Sequence, residues 1–299
     1  MLNAPMSPNL LVEVAVEPTI ATHAGDLAAA IGNMVAEDPS FAAYTDSETG
    51  QTIIGGIDEL HLASKLDHLR RVYSPDIKAG TFQVAYRESI GCKSEIIYTH
   101  KKHLGPMSQY ACVKIIFEPG EPGSGFLFEN SILDGSVPKE YIPGVERGLA
   151  LAAKSGWLAG FPAIQLKATL AGGAYHDIDS SPLAFEIAAR GAFHELRDKG
   201  QPMLLEPIME VKIYTDEDRW EAILADLSQR DSQLDGEIKN GGRTITALVP
   251  LATMLGYASD LRDLAGDRAR FTMRYHSYRE RLSPEPPDDL FPSAIGLRA

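Results

Sequence analysis

Val12, Val14 and Val16 alternate with Glu13, Ala15 and Glu17, a period of two that predicts a half-buried strand. Leu27, Ala30, Ile31, Met34 and Val35 then share one helical face, and Asp38 with Pro39 ends that helix. Positions 41–45 and 51–57 predict a hairpin around Glu48, Thr49 and Gly50. Leu62, Leu66, Leu69 and Tyr73 mark a second amphipathic helix, and 76–81 returns as a strand. The same order recurs near the other end. Met209, Val211 and Ile213 alternate with Glu210 and Lys212; Trp220, Ile223, Leu224 and Leu227 follow at helical spacing behind an acidic first turn at 216–218. A hairpin through Asn240, Gly241 and Gly242 leads into 244–249. Met254, Ala258, Leu261 and Leu264 line the next helix, and Phe271, Met273 and Tyr275 alternate in a last strand.

Each series reads β-α-β-β-α-β, the split arrangement of ferredoxin-like domains, so the chain is expected to be α+β with two such domains flanking a middle segment of 82–199. That segment predicts strands over 84–90, 93–98, 110–118 and 126–131, then helices carrying Ile142, Val145, Leu149 and Ala152 and carrying Phe185, Ala189, Ala192 and Leu196. Between the helices, 162–170 alternates as a strand, with Ile164, Leu166 and Ala168 on one face and Gln165, Lys167 and Thr169 on the other. It delivers a polar hairpin tip over 174–181, and Ser181 is placed to cap a helix opened by Pro182. A compact basic cluster, His100, Lys101, Lys102 and His103, precedes Gly105 and Pro106 and the strand from Tyr110. If the strands bearing these two loops are neighbours, both loops emerge at one end. The stretch 284–299, rich in Pro and Asp at its start, reads as a disordered tail.

A formal charge of −13 argues against indiscriminate coating of nucleic acid, so any such contact must be local. No apolar run is long enough to cross a bilayer and 1–9 lacks the pattern of a signal peptide, which predicts a cytoplasmic protein. Cys92 and Cys112 offer neither metal-ligand spacing nor a disulfide framework and read as core fillers. The string Gly91, Cys92, Lys93, Ser94 lacks phosphate-loop spacing, with Tyr86 where the first glycine belongs, and no dinucleotide fingerprint follows a strand. His176, Asp177 and Asp179 have the residue types of a metal or acid–base site, but neighbours on an extended approach point to opposite sides. Recognition suits the loop better: Tyr175 and His176 can stack on or hydrogen-bond to unpaired bases, while the carboxylates limit indiscriminate phosphate attraction. His23, His61 and His68 read as surface or packing residues on helices. Arg70, Arg71, Arg262, Arg268 and Arg270 read as phosphate contacts or surface ion-pair partners.

Several strings together resemble a known family. Asp38-Pro39-Ser40-Phe41, the run from Thr49 to Gly56 and Glu59-Leu60-His61-Leu62 resemble the third domain of bacterial elongation factor G. Val84-Ala85-Tyr86-Arg87-Glu88, the run from Val137 to Pro143 and the tip from Tyr175 to Ser181 resemble its fourth domain. Leu204 to Met209, Tyr257 to Arg262 and Arg268-Ala269 resemble its fifth. The resemblance implies domains at 1–81, 82–201 and 202–283, the middle one like domain 2 of ribosomal protein S5. It implies a translational GTPase whose GTP, Mg and G domain lie outside this chain, which itself is no enzyme and carries neither cofactor nor metal. Its partners would be ribosomal RNA and proteins, with tRNA and mRNA at the decoding site, met by a monomer during translocation. The expected RNA-binding tip is His100, Lys101, Lys102, His103, Gln109, Tyr110, Tyr175, His176, Asp177, Asp179, Ser180 and Ser181; Arg230, Arg262 and Arg268 are the expected RNA-facing residues of the fifth domain. Two strings depart from the family: His103 to Gln109 replaces a glycine-rich companion loop, and Ser228 to Ser232 replaces a basic turn. The alternatives are a paralogue acting in ribosome recycling and an interaction scaffold that does not bind ribosomes.

Overall fold

The computed structural model describes residues 10–19, 24–46, 50–72, 77–104, 107–133, 135–235 and 243–281. They form two compact units: one runs to Ala85 and resumes over Glu206–Arg279, the other holds Tyr86–Leu205 with Glu280 and Arg281. The first module runs β1 (Val12–Pro18), α1 (Ala24–Glu37), β2 (Ala42–Thr45), β3 (Thr52–Gly56), α2 (Glu59–Val72) and β4 (Ile77–Ala79). Its antiparallel sheet has the order β2-β3-β1-β4, with Val14 opposite Ile54. The alternation read from the valines is the buried face: Val12, Val14 and Val16 are buried, as are Ile31 of α1 and Leu62 and Leu69 of α2.

Where α1 ends, Asp38 gathers a polar knot. Its carboxylate accepts the Ser40 amide at 2.9 Å and lies 2.7 Å from Lys65 Nζ and 3.2 Å from His61 Nε2. Lys65 above all, then Ser40, holds the Asp38 carboxyl far below its ordinary value of 3.8. The knot therefore contributes fully above that pH and fades as the pH falls toward the depressed folded-state value. Asp38→Ala should cost about 1–3 kcal/mol at neutral pH. Urea unfolding followed by circular dichroism should show that difference at pH 7 and a smaller one at pH 3; an equal difference at both would contradict the assignment.

The expected strand 84–90 is two strands. β5 (Gln83–Val84) pairs with β1 in the first unit, and β6 (Arg87–Ile90) belongs to the second. The second unit continues with β7 (Ser94–Leu104), β8 (Met107–Pro119), β9 (Phe126–Asn130), α3 (Ile142–Ala153), β10 (Leu166–Ala174) and α4 (Pro182–Lys199), its sheet ordered β7-β8-β10-β9. The sheet buries Ile96, Val113, Ile115, Phe117, Leu166, Ala168 and Leu170 against Val145, Leu149, Phe185, Ala189 and Phe193 of the two helices. α3 and α4 approach so closely that a Cβ on Gly144 would stand 2.3 Å from the Pro182 carbonyl, and one on Gly148 2.4 Å from that of Glu186. The strand expected at 162–170 starts later and runs further, because Gln165 takes a φ of 52° and breaks the extended run just before Leu166. From Leu166 onward the alternation holds, with Leu166, Ala168 and Leu170 buried and Lys167 and Thr169 half-buried, whereas Ile164, expected on the buried face, is half-buried like Gln165.

The third module runs β11 (Pro202–Thr215), α5 (Trp220–Ser228), β12 (Gln233–Asp235), β13 (Arg243–Pro250), α6 (Tyr257–Ala265) and β14 (Arg270–Glu280), with sheet order β12-β13-β11-β14. Residues 202–205 of β11 pair with β6, and 208–215 pair with β13. Both flanking modules thus place their strands fourth-first-third-second, the ferredoxin-like order. Within their shared unit the Glu59 carboxylate accepts the Gly256 amide at 2.7 Å, tying α2 to the turn that opens α6. Cys92 and Cys112 are free and half-buried rather than core residues. The turns expected at Glu48-Thr49 and Asn240-Gly241-Gly242, as well as Tyr73, Asp76, His23 and the expected tail, lie outside the described residues.

Candidate nucleic-acid interface

The basic cluster is strand, not loop. β7 and β8 stay paired as far as Leu104 opposite Met107, which sets Lys101 against Tyr110 and Lys102 against Gln109. His100 Nε2 lies 3.0 Å from Gln109 Oε1, so these two side chains brace each other across the hairpin. Lys101 and Lys102 are exposed; the side chain of His103 and residues Gly105 and Pro106 lie outside the described residues. β10 runs antiparallel to β8 with Ala174 opposite Cys112, so the chain leaves β10 at the same end from which β7 and β8 project.

The segment after β10 is a turn joining a strand to a helix rather than a hairpin. The Ser180 amide donates to the His176 carbonyl at 3.1 Å, and the His176 amide donates to Ser180 Oγ at 2.9 Å. His176 Nδ1 faces the amides of Ile178 and Asp179, each at 3.3 Å, and stands 3.4 Å from Asp179 Oδ2. A ring nitrogen that accepts from amides carries no proton, so in the neutral ring the proton sits on Nε2, leaving it as a donor. The turn is bonded to the hairpin: the Tyr110 amide donates to the Asp179 carbonyl at 2.9 Å, and Ser180 Oγ donates to the Tyr110 carbonyl at 2.7 Å. Ser181 closes it by accepting the Ala184 amide at 3.2 Å, the N-cap of α4, with Pro182 in the first turn.

Among the expected residues, Tyr110 and Asp179 through their backbones and Ser180 through its hydroxyl join the turn to the hairpin, while Gln109 braces the hairpin and Ser181 caps α4. Tyr175, His176 and Asp177 face solvent. Two further residues belong to the surface. Ile178 is 86% exposed at the apex of the turn, and Tyr141 stacks on Phe185 at 5.0 Å and stands 6.4 Å from the Tyr175 ring. Burial first, then the neighbouring Glu140, pushes the Tyr141 phenol above its ordinary pKa, so it stays a neutral hydroxyl. A lone apolar residue inside a polar loop was the readable sign of Ile178; nothing local announces that Tyr141 and Tyr175 meet. The assembled end offers exposed ammonium groups, an imidazole donor and an aromatic face, the chemistry that grips unpaired bases and phosphate.

The three arginines expected to face RNA lie in the other unit and differ in state. Arg230 is turned inward, with Asp226 at 2.9 and 3.1 Å, Asp260 at 2.8 Å, the Thr253 carbonyl and the Tyr257 ring at 4.8 Å, which leaves its side chain 16% exposed. Burial works against its charge, but the two carboxylates outweigh burial and raise its pKa. Arg268 is paired with Asp218 at 2.9 Å on the surface, and Arg262 is exposed on α6. Among the described residues no three His, Cys, Asp or Glu side chains are grouped to hold a metal, and no helix is long and apolar enough to cross a membrane.

Comparison with known proteins agrees along the chain. Family models match in order: elongation factor G domain III over 7–81, elongation factor G domain IV over 82–201 and the elongation factor G C-terminus over 203–288. An elongation factor G of Rhodopseudomonas palustris (strain BisB18) is 49% identical over 274 residues, 91% of this chain and 40% of that protein. One from Hyphomonas neptunium (strain ATCC 15444) is 49% identical over 274 residues, 91% of this chain and 39% of that protein. A crystal structure of a Thermus thermophilus protein superposes with a TM-score of 0.71 at 35% identity, covering 93% of this chain and 42% of that one. This chain therefore spans about two fifths of the length of the curated relatives it matches. It belongs to the elongation factor G family, of which it carries domain III, domain IV and the C-terminal portion.

Proposed function

We propose that this chain is the ribosome-binding limb of an elongation factor G-type GTPase, and that the joined ends of β7, β8 and β10 enter the decoding region to promote movement of tRNA and mRNA. The observation that supports this reading is the bonding of the His176 turn to the β7–β8 hairpin at one end of one sheet, through Tyr110, Asp179 and Ser180. That end then carries the exposed Lys101 and Lys102, on opposite faces of β7, and the exposed Tyr175, His176 and Ile178 of the turn. In the whole factor GTP and Mg belong to the G domain; the limb's work is to bind and to fit. Its partners are ribosomal RNA and proteins with tRNA and mRNA at the decoding site, met in the cytoplasm by a monomer. The withdrawn guanidinium of Arg230 takes no direct part, leaving Arg262 and Arg268 as the RNA-facing arginines of the C-terminal portion.

Association of the chain with ribosomes should weaken steeply between about 50 and 200 mM salt, as counterion release requires. Lys101→Gln with Lys102→Gln should lower affinity and flatten the log–log salt slope by roughly 1–2. Co-sedimentation across a salt series reads both. Salt-independent association, or a double variant with the wild-type slope, would remove the reading.

A further inference from the structure

We infer that Ser180 is the positioning residue of the tip, the side chain that makes the His176 turn and the β7–β8 hairpin one contact surface. The hydroxyl accepts from the His176 amide at 2.9 Å and donates to the Tyr110 carbonyl at 2.7 Å. Only a group that is donor and acceptor on one atom can hold both at that spacing. Tyr110 in turn spends both of its backbone groups on the turn, its amide on Asp179 and its carbonyl on Ser180. The strand leading into the turn stays paired with β8 as far as Ala174 opposite Cys112, and beyond it the turn is held by the bonds to Tyr110. Its pairing with β8 shifts register between Leu170 and Gly172, and Gly172 and Gly173 carry no side chain to pack. A Cβ at Gly173 would stand 2.3 Å from the Cys112 carbonyl, so the close approach to β8 that lets Ser180 reach Tyr110 depends on that glycine.

The consequence falls on His176. With its amide anchored by Ser180 and Nδ1 engaged by two amides of the turn, its ring is oriented before any partner arrives and Nε2 is the nitrogen left to donate. Ser180 is thus spent internally: it acts through His176 and Tyr110 and does not touch the partner. The inference rests on the proposed ribosomal role only for its effect on binding; the clamp itself is a property of the free chain.

The test is amide hydrogen exchange of the free chain, followed by ribosome co-sedimentation, for wild type, Ser180→Ala and the isosteric pair Ser180→Thr and Ser180→Val. In Ser180→Ala and Ser180→Val the Tyr110 amide should exchange at least about tenfold faster, while Val113 and Ile115 in the same strand keep their wild-type rates. Ser180→Thr should restore the slow exchange. Association with ribosomes should fall about tenfold in the two variants lacking the hydroxyl, with an unchanged salt slope because no charge is lost, and recover in Ser180→Thr. Should Ser180→Ala also loosen Val113, the Thr and Val pair decides, since they differ by the hydroxyl alone. Unchanged Tyr110 exchange in Ser180→Val overturns the inference, and so does fast exchange with undiminished ribosome association. A wild-type chain that ignores ribosomes would overturn the proposed function instead, and the exchange result would still decide the clamp.

Discussion

Glu88→Gln is expected to cost the tip-bearing module about 3–5 kcal/mol, a large share of what a domain of this size possesses. Glu88 is fully buried, and its carboxylate accepts four backbone amides: Trp157 and Leu158 on Oε2, Ala159 and Phe161 on Oε1, at 2.8 Å for Leu158 and Ala159 and 3.1 Å for Phe161. Its own amide donates to the Pro162 carbonyl at 3.0 Å, and its carbonyl accepts the Ile164 amide at 2.9 Å. The loop from Gly156 to Ile164 is therefore wrapped around one side chain, and Gly156 at a φ of 54° has no room for a Cβ beside that carboxylate. Glutamine keeps the shape but turns one oxygen into a donor facing donors, and each buried amide left without an acceptor costs about 1–3 kcal/mol. Urea unfolding by circular dichroism should show the loss. A midpoint shift worth less than about 0.5 kcal/mol would mean that the carboxylate is not what holds the loop.

His176→Ala is expected to leave the fold intact and weaken association with ribosomes roughly tenfold to a hundredfold. Its side chain is 54% exposed, so removing the ring opens no core cavity. What disappears is a π-face, a contribution of about 1–3 kcal/mol where a base stacks on it, together with the Nε2 donor and the Nδ1 acceptor that caps the turn. His176→Asn is informative beside it, because a side-chain oxygen can serve the turn amides while the aromatic face is gone. Affinity measured by co-sedimentation at fixed salt, with the melting temperature as control, distinguishes contact from collapse. Wild-type affinity in His176→Ala, with the fold unchanged, would take the ring out of the interface.

Much of this architecture is readable from local patterns because local forces set it. The valine alternation in β1 and the Ser181-Pro182 start of α4 are governed by burial period and cap chemistry, and both stand where the sequence places them. The convergence of the basic cluster and the His176 turn follows from the neighbouring positions of β8 and β10. Other features depend on distant partners. The break between β5 and β6 reflects a change of sheet at Ala85, which no residue pattern marks. The late start of β10 follows from a left-handed Gln165, held where its amide reaches the Ser124 carbonyl at 3.0 Å. The positive charge at Arg230 is legible, but its capture by Asp226 and Asp260 is not, because Asp260 is 30 residues away in sequence. Glu88 shows the same limit: nothing in the polar string Arg87-Glu88-Ser89 marks it as buried, and the partner of its carboxylate is a loop 69 to 73 residues onward.

In the proposed ribosomal role the apex of the turn lies against RNA. A photoreactive diazirine amino acid placed at Ile178, 86% exposed, reports that directly, with the same group at Leu127, 51% exposed in β9, as the control. Illumination should join position 178 to small-subunit ribosomal RNA, or to mRNA or tRNA beside it, in yields that fall with added salt, and position 127 should give no such adduct. Adducts at position 178 confined to protein, or equal RNA yields from both positions, would contradict it.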